Sequence, residues 1–196
     1  MKTTVILLVL LSLFTNEDVK FKQLKTDYSP YLSYNSTRGQ LSIISFPVEF
    51  EINNNKTNRI QLVSMECNNT RTIISRIWSP NLAIYEKQKD SLLWIRDRPN
   101  IDIVLPKEIK KYVVYTQHII RLDTLFQELF KSYADEMKDS KNYKMELDYK
   151  RLNNKQILYL HSLLKGDSIR MKSFDKKEEK YQKIKFPINS NLIIPK

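Results

Sequence analysis

Glycine is scarce in this chain, with two residues in 196. Loops that bind phosphate groups, such as GxGxxG or GxxxxGK followed by Ser or Thr, need glycine where the backbone approaches the phosphate. The nucleophile elbow GxSxG needs two glycines around its serine. The sequence contains none of these patterns. This excludes the dinucleotide, nucleotide and hydrolase sites that depend on them.

Cysteine and histidine are equally scarce, with one and two residues. The only cysteine, Cys67, excludes an intrachain disulfide and a zinc site built from cysteines. It ends an apolar run and has no neighbour that would lower its pKa, so we interpret it as a small buried apolar side chain. The two histidines, His118 and His161, lack metal-ligand spacing, and we interpret both as structural residues. We therefore predict no catalytic residue, no metal and no cofactor, and we predict that the protein is not an enzyme.

The N-terminus carries a basic residue followed by an apolar run. Lys2 precedes the unbroken apolar segment Val5–Leu11, and the run extends to Phe14. This order is typical of a secretory signal peptide, and the run is shorter than the ~20 residues that span a bilayer. No small-x-small pair lies near Phe14, so an uncleaved N-terminal membrane anchor is the alternative. We predict that residues 1–15 place the protein outside the cytoplasm, in the periplasm or the medium.

The remaining chain has the composition of one folded domain. Hydrophobic residues make up 41% of the whole sequence, a proportion with which a chain of this length can build a full core. The last part, from Asp175 onwards, opens with a dense run of charges that favours a solvated segment. We predict a single domain over residues 16–174 and a charged C-terminal extension over residues 175–196.

The stretch Ile101–Met137 carries the clearest structural pattern. Alternating apolar residues predict a strand that ends at Pro106. In the segment 112–122, both the odd-numbered and the even-numbered positions carry apolar residues, which is typical of a central strand. Thr124 and Gln127 fit a capping box that would start a helix over about 124–138. One apolar stripe runs along that helix and predicts a face packed in the core: it consists of Leu125, Phe126, Leu129, Phe130, Tyr133 and Met137.

Most of the other segments have strand patterns. Val48, Phe50 and Ile52 alternate with Glu49 and Glu51, the period of a strand with one buried and one solvated face. Further strands are predicted over 60–67, with a bulge after residue 62, and over 71–78, 82–85, 92–95, 143–149 and 168–174. The segment 154–164 fits either a helix or one strand of a pair, and we favour the strand pair. Short strands at regular spacing predict a mainly β fold, an immunoglobulin-like β-sandwich with one inserted or appended amphipathic helix.

Charge is the strongest hint about function. The net charge of +11 favours acidic proteins, anionic lipids or nucleic acids as partners. An exported protein seldom meets nucleic acid, so we predict an acidic protein partner, no nucleic acid, and membrane contact only through an uncleaved N-terminus. The predicted contact residues are basic loop residues with two tyrosine anchors: Arg96, Arg98, Lys107, Lys110, Lys111, Tyr31 and Tyr34. The alternative for the tyrosines is that they pack the first strand against the sandwich.

Together these patterns predict a general class of function and no specific biological process. The first hypothesis is a non-catalytic extracytoplasmic binding protein that acts through protein–protein interaction, as an inhibitor or an immunity protein does. The alternative is a structural or envelope accessory protein that an uncleaved N-terminus anchors to the membrane.

Overall fold

The computed structural model describes residues 19–69, 83–89, 91–95 and 102–195. Of these residues 50% lie in strands and 20% in helices, so the mainly β fold predicted from the sequence is confirmed. Three predictions lie outside the described residues: the targeting segment 1–15, the strand over 71–78, and the side chains of Arg96 and Arg98.

The larger sheet has seven antiparallel strands. They are β1 (Val19–Leu24), β2 (Tyr31–Asn35), β3 (Gln40–Asn54), β5 (Ala83–Gln88), β6 (Ser91–Ile95), β8 (Ile109–Ile119) and β9 (Lys144–Glu146). The order is β6–β5–β8–β3–β2–β9, and β1 pairs with the half of β3 that β2 leaves free. Because β8 lies between β5 and β3, the predicted central strand is confirmed, although it begins at Ile109.

The smaller sheet has four antiparallel strands: β4 (Ile60–Asn68), β7 (Asp102–Val104), β10 (Ser168–Asp175) and β11 (Lys180–Pro187). Their order is β11–β10–β4–β7. Lys172 pairs with Ser64 and Ser173 pairs with Leu62, which leaves Val63 as an extra residue. The predicted bulge after Leu62 is therefore confirmed.

The core lies between the two sheets, which curl into a half-barrel. Phe50 of β3 illustrates this packing, because its ring centroid lies 5.6 Å from that of Tyr112 on β8 and 5.5 Å from that of Phe186 on β11. The alternation Val48, Phe50, Ile52 faces this core and is fully buried. The immunoglobulin-like form of the predicted sandwich is not confirmed.

The predicted single helix over 124–138 is two helices, α1 (Thr124–Leu129) and α2 (Lys131–Asp139). They meet at Phe130, whose φ of −110° and ψ of 20° depart from helical values. The predicted capping box is wrong, because Asp123 is the N-cap and accepts from the Phe126 N–H. The Gln127 amide instead donates to the carbonyl of Leu41. The stripe is buried at four of its six positions, whereas Leu125 is exposed and Leu129 is partly buried.

The segment 154–164 is a helix, α3 (Asn154–Leu164), so the favoured strand pair is wrong for this segment. The physical reason is a capping box: Asn153 accepts from the Gln156 N–H at 3.0 Å, and Gln156 accepts from the Asn153 N–H at 2.9 Å. Gly166 follows the helix with a φ of 87°, a left-handed conformation that glycine adopts without strain.

Two further segments differ from the sequence-based expectation. The strand predicted over 143–149 is limited to β9, and a short 3-10 helix, Tyr149–Arg151, follows it. The segment 175–196 was expected to be a charged extension, but it contains β11, and three isoleucines after β11 are buried in the core: Ile188, Ile193 and Ile194.

Candidate binding surface

The two tyrosines predicted as anchors occupy different environments. Tyr34 is 8% exposed and belongs to the core. Tyr31 is half-buried, with its ring centroid 5.4 Å from that of Tyr115 and the Lys144 ammonium 4.1 Å from its own centroid. Tyr34 therefore matches the alternative prediction, in which the tyrosines pack a strand, and Tyr31 is only partly accessible to a partner.

Lys110 is paired inside the protein. Its ammonium lies 2.9 Å from Oδ2 of Asp102 and 3.6 Å from Oε1 of Glu86. Burial would lower the pKa of Lys110, but the hydrogen bond and the negative charge of Asp102 raise it. Asp102 also accepts from the hydroxyl of Tyr112 at 2.8 Å. Lys110 thus stabilises the contact between β7 and β8, and its charge is already balanced.

Lys107 and Lys111, two other predicted contact residues that the structure describes, do not form one surface with Tyr31. Lys107 and Lys111 are exposed at one end of the larger sheet. Tyr31 pairs with Ser45 of β3, whereas Lys111 pairs with Glu51 of the same strand. Six residues of an extended strand cover roughly 20 Å. The structure therefore separates these two predicted groups.

A basic surface that the sequence analysis missed lies on the outer face of the smaller sheet. Arg170 pairs with Lys185, and Lys172 pairs with Lys183, across the neighbouring strands β10 and β11. We call these four residues, Arg170, Lys172, Lys183 and Lys185, the basic ladder. On the other side of β10, Arg170 faces Glu66, which is the one carboxylate in these rows.

Strand geometry fixes the spacing of the basic ladder. Residues directly opposite each other on antiparallel strands have Cβ atoms roughly 5 Å apart, and alternate residues along a strand are roughly 7 Å apart. The ladder borders a shallow depression of about 420 Å³. Its lining consists of the four ladder residues with Ser64, Glu66, Met171 and Ile184. The cations therefore surround a recess large enough to admit side chains of a partner.

None of the ladder residues has an ion pair within the described part of the chain. The Lys172 ammonium instead lies 4.1 Å from the ring centroid of Tyr181, which packs 4.8 Å from that of Phe174. Lysine on an edge strand such as β11 discourages sheets from joining edge to edge. That role does not explain Arg170 and Lys172, because β10 lies inside the sheet between β11 and β4.

A buried polar group lies at the other end of the smaller sheet. His118 Nε2 is 3.1 Å from Asp167 Oδ2, and both side chains are buried. Cys67 is partly buried, and its thiol donates to Asn69 Oδ1 at 2.9 Å. Burial and the charge of Asp167 raise the pKa of Cys67. A thiol that stays protonated at neutral pH is a poor nucleophile, so this arrangement favours a structural role for Cys67.

His161, the second histidine, borders a separate cleft. Its Nδ1 lies 2.9 Å from the hydroxyl oxygen of Ser190. The cleft between α3 and the segment after β11 has a volume of about 740 Å³. The His161–Ser190 contact therefore joins the last turn of α3 to the C-terminal segment.

Two kinds of feature are absent from the described residues. No group of three or more His, Cys, Asp or Glu side chains there is placed to hold a metal ion. No helix in the same residues is long and apolar enough to cross a membrane. No protein-family model and no curated protein matches the chain.

Proposed function

We propose that this protein is an exported, non-catalytic binding protein that uses the basic ladder to hold an acidic protein partner. It occludes that partner, as an inhibitor or an immunity protein does, and turns over no substrate. The observation that carries the proposal is the placement of four cations on two adjoining strands, with one carboxylate beside them. The export part of the proposal is supported by the sequence pattern of Lys2 and the run Val5–Phe14.

The energetics of the ladder favour a complex. Like charges directly opposite each other on neighbouring strands repel and so destabilise a sheet. Carboxylates of a partner that face the ladder replace this repulsion by attraction. A face that weakens the free protein and strengthens its complex is the pattern expected of a binding surface.

Aromatic and apolar side chains continue the ladder along the same face. Tyr181 pairs with Phe174, Phe174 pairs with Gln61, and Gln61 in turn pairs with Ile103. Tyr181 is 59% exposed. Tyrosine and arginine are enriched in binding hot spots because they bury a large area and keep specific hydrogen bonds. The partner is therefore expected to cover Tyr181 and Arg170 together, with the lysines around them.

The test starts with capture of a partner from the source organism and continues with binding kinetics on that purified partner. Wild-type protein should associate quickly at low salt and slow markedly toward physiological salt, where the screening length falls to about 8 Å. The double substitution Lys183→Glu and Lys185→Glu should reduce the association rate by at least about tenfold.

The matched control is Lys131→Glu with Lys138→Glu, two exposed residues on α2 that change the net charge by the same amount. It should keep an association rate close to that of the wild type. Capture alone does not support the proposal. No captured partner, or an association rate that the two double variants reduce equally, would overturn it.

A membrane-anchored structural or envelope accessory protein is the second candidate. One observation favours it: β1 begins at Val19, which pairs with Asn54. Asn54 lies at the same end of the molecule as the exposed side chains of Leu105 and Ile109. The strand that follows the predicted signal peptide or anchor thus starts beside apolar side chains that face solvent.

A further inference from the structure

Two large aliphatic side chains project into solvent on either side of one turn. The turn Leu105–Glu108 connects β7 to β8 and is closed by a hydrogen bond of 3.2 Å from the Glu108 N–H to the Leu105 carbonyl. Leu105 is 54% exposed and Ile109 is 55% exposed. Exposed aliphatic side chains are common singly, but two beside one turn form a patch that suggests an interaction site.

Asn54 holds this turn in place. Its carbonyl accepts from the Lys107 N–H at 2.8 Å, and its own N–H donates to the Glu108 carbonyl at 3.0 Å. Its side-chain amide donates to the carbonyls of Val104 and Leu105 at 3.1 and 3.0 Å. Because backbone and side chain of Asn54 both bind the turn, the exposure of Leu105 and Ile109 is a fixed property of the fold.

Lysines lie in the rows beside Ile109, while the Glu108 carboxylate lies within the turn and accepts from the Leu105 N–H at 2.6 Å. Ile109 pairs with Asn53, which pairs with Lys20 of β1, so these three side chains lie on one face. In the next row of that face, Lys22 and Lys111 flank a single carboxylate, Glu51.

Lys107 is the fourth lysine and occupies the tip of the turn itself. Its φ is 61°, a left-handed conformation that costs a residue with a side chain roughly 1–2 kcal/mol and that glycine adopts freely. Pro106 before it fits a type II turn, in which glycine or asparagine is usual at this position. The Lys107 ammonium donates to the carbonyl of Asn55, which holds this cation beside the turn. We call Leu105, Ile109 and the lysines Lys20, Lys22, Lys107 and Lys111 the apolar–basic tip.

We propose that the apolar–basic tip inserts Leu105 and Ile109 into the surface of an anionic lipid bilayer. The lysines then lie at the level of the lipid headgroups, where each adds about 1 kcal/mol of attraction to an anionic leaflet. Apolar side chains that enter the acyl boundary, with cations around them, are the pattern of proteins that lie on a membrane. Fluid lipid can enclose two projecting side chains, whereas a protein partner would need a pocket shaped for them.

The start of β1 supports the same orientation independently. Val19 pairs with Asn54, so the chain enters the larger sheet at the tip. Four residues, 15–18, reach at most roughly 14 Å. If the run Val5–Phe14 stays in a membrane, this short connection brings the tip to the lipid surface. The inference does not depend on the basic ladder, which lies on the smaller sheet.

The test measures co-sedimentation of the full chain with vesicles of phosphatidylcholine alone and with vesicles that contain about a third phosphatidylserine. Wild-type protein should bind the anionic vesicles, and the binding should weaken as salt increases from about 0.05 to 0.5 M. Leu105→Ser with Ile109→Ser should weaken that binding by about tenfold or more. Lys107→Gln with Lys111→Gln should also weaken it and should reduce its dependence on salt.

The matched control is Leu122→Ser with Leu125→Ser, which removes aliphatic side chains that are 77% and 49% exposed beyond the opposite end of β8. It should bind anionic vesicles as the wild type does. The proposal is wrong if the serine variants at the tip bind as tightly as the wild type, because the N-terminal run would then account for all binding. The proposal is also wrong if the control variant loses as much binding as the tip variants, or if the wild-type protein binds neutral and anionic vesicles equally well. Circular dichroism confirms that each variant is folded, and capture of a protein partner by the ladder should be unchanged in the tip variants.

Discussion

The ammonium of Lys56 lies 2.8 Å from Oδ2 of Asp175, and both side chains are almost completely buried. The pair connects the loop before β4 to the turn between β10 and β11. Asn58 also donates to Asp175, as do the backbone N–H groups of Lys177 and Glu178 at 3.0 and 3.2 Å. Lys56 also lies 3.2 Å from Oε1 of Glu178. A buried carboxylate with this many donors is a fixed part of the fold, because losing Lys56 would leave the charge of Asp175 without a cation.

The stability of the protein should therefore fall in acid. Burial would raise the pKa of Asp175, but the hydrogen bonds of Lys56 and Asn58 outweigh it and lower the pKa from 3.8 to about 2. The folded state thus favours the ionised form, and its contribution of roughly 2 kcal/mol is complete above pH 4 and lost as the pH falls from about 4 to about 2. Urea unfolding followed by tryptophan fluorescence across this range measures the free energy of unfolding.

Asp175→Asn isolates this contribution. The variant should lose about 3 kcal/mol of unfolding free energy at neutral pH. It should also show a smaller decrease between pH 4 and pH 2 than the wild type does. Asp139→Asn, an exposed position at the end of α2, is the control and should keep the wild-type profile. The explanation fails if Asp175→Asn and the wild type lose stability equally over this range.

Phe130→Ala should destabilise the fold by roughly 3–5 kcal/mol. Phe130 is fully buried at the junction of α1 and α2, and its ring centroid lies 4.3 Å from that of Phe126. Truncation leaves a cavity that the two helices cannot fill without moving. Leu125→Ala is the control in the same helical segment and should cost less than about 1 kcal/mol, because Leu125 is exposed. Chemical unfolding gives both values, and a loss below about 1 kcal/mol for Phe130→Ala would mean that this face does not pack in the core.

Strand periodicity carried most of the fold prediction. Val48, Phe50 and Ile52 of β3 alternate with other residues because they face the core, whereas β8 is buried on both faces because it is a central strand. A break in the same alternation predicts the bulge at Val63. The helix α3 was assigned wrongly although its signal was present, since Asn153 and Gln156 have the spacing of a capping box. The four leucines and one isoleucine of the segment suit a strand as well, so the capping box is the signal that distinguishes the two structures.

Pairing between strands could not be predicted in the same way. Lys183 and Lys185 have the period of a strand, yet their charge density favoured a solvated extension. The basic ladder exists because β10 and β11 pair in one particular register, and a single sequence does not specify that register. Likewise Glu49 was expected in solvent, but it is buried because both faces of the middle of β3 are covered.

Glu49 forms a second ion pair, with Lys87, and the stability losses caused by substituting the two residues should be coupled. Lys87 donates to Glu49 Oε1 at 2.8 Å, and this hydrogen bond raises the pKa of Lys87. Lys87→Met should cost about 3 kcal/mol, because it leaves a carboxylate buried without its cation. Adding Glu49→Gln to that variant should recover about 1–2 kcal/mol. Lys22→Met, on the exposed part of β1, is the control, and additive losses in the double variant would show that the two side chains are not coupled.

The native N-terminus tests the predicted export. Lys2 and the run Val5–Phe14 predict a signal peptide, and β1 explains where cleavage leaves the fold intact. Val19 is 7% exposed and pairs with Asn54, and Phe21 pairs with Ile52 of β3. Cleavage beyond Val19 would remove part of this strand, so the mature chain should begin at residues 15–18. Mass spectrometry of protein isolated from its source measures this directly.

The cell fraction in which the protein is found distinguishes the remaining outcomes. A chain that begins at residues 15–18 in the periplasm or the medium supports a signal peptide. An intact N-terminus in the membrane fraction supports the anchor and brings the apolar–basic tip to the bilayer by the connection of four residues. An intact Met1 in the soluble cytoplasmic fraction would contradict export in either form. In that case nucleic acid would again be a candidate partner for the four cations on β10 and β11, because phosphates bind arginine and lysine as carboxylates do.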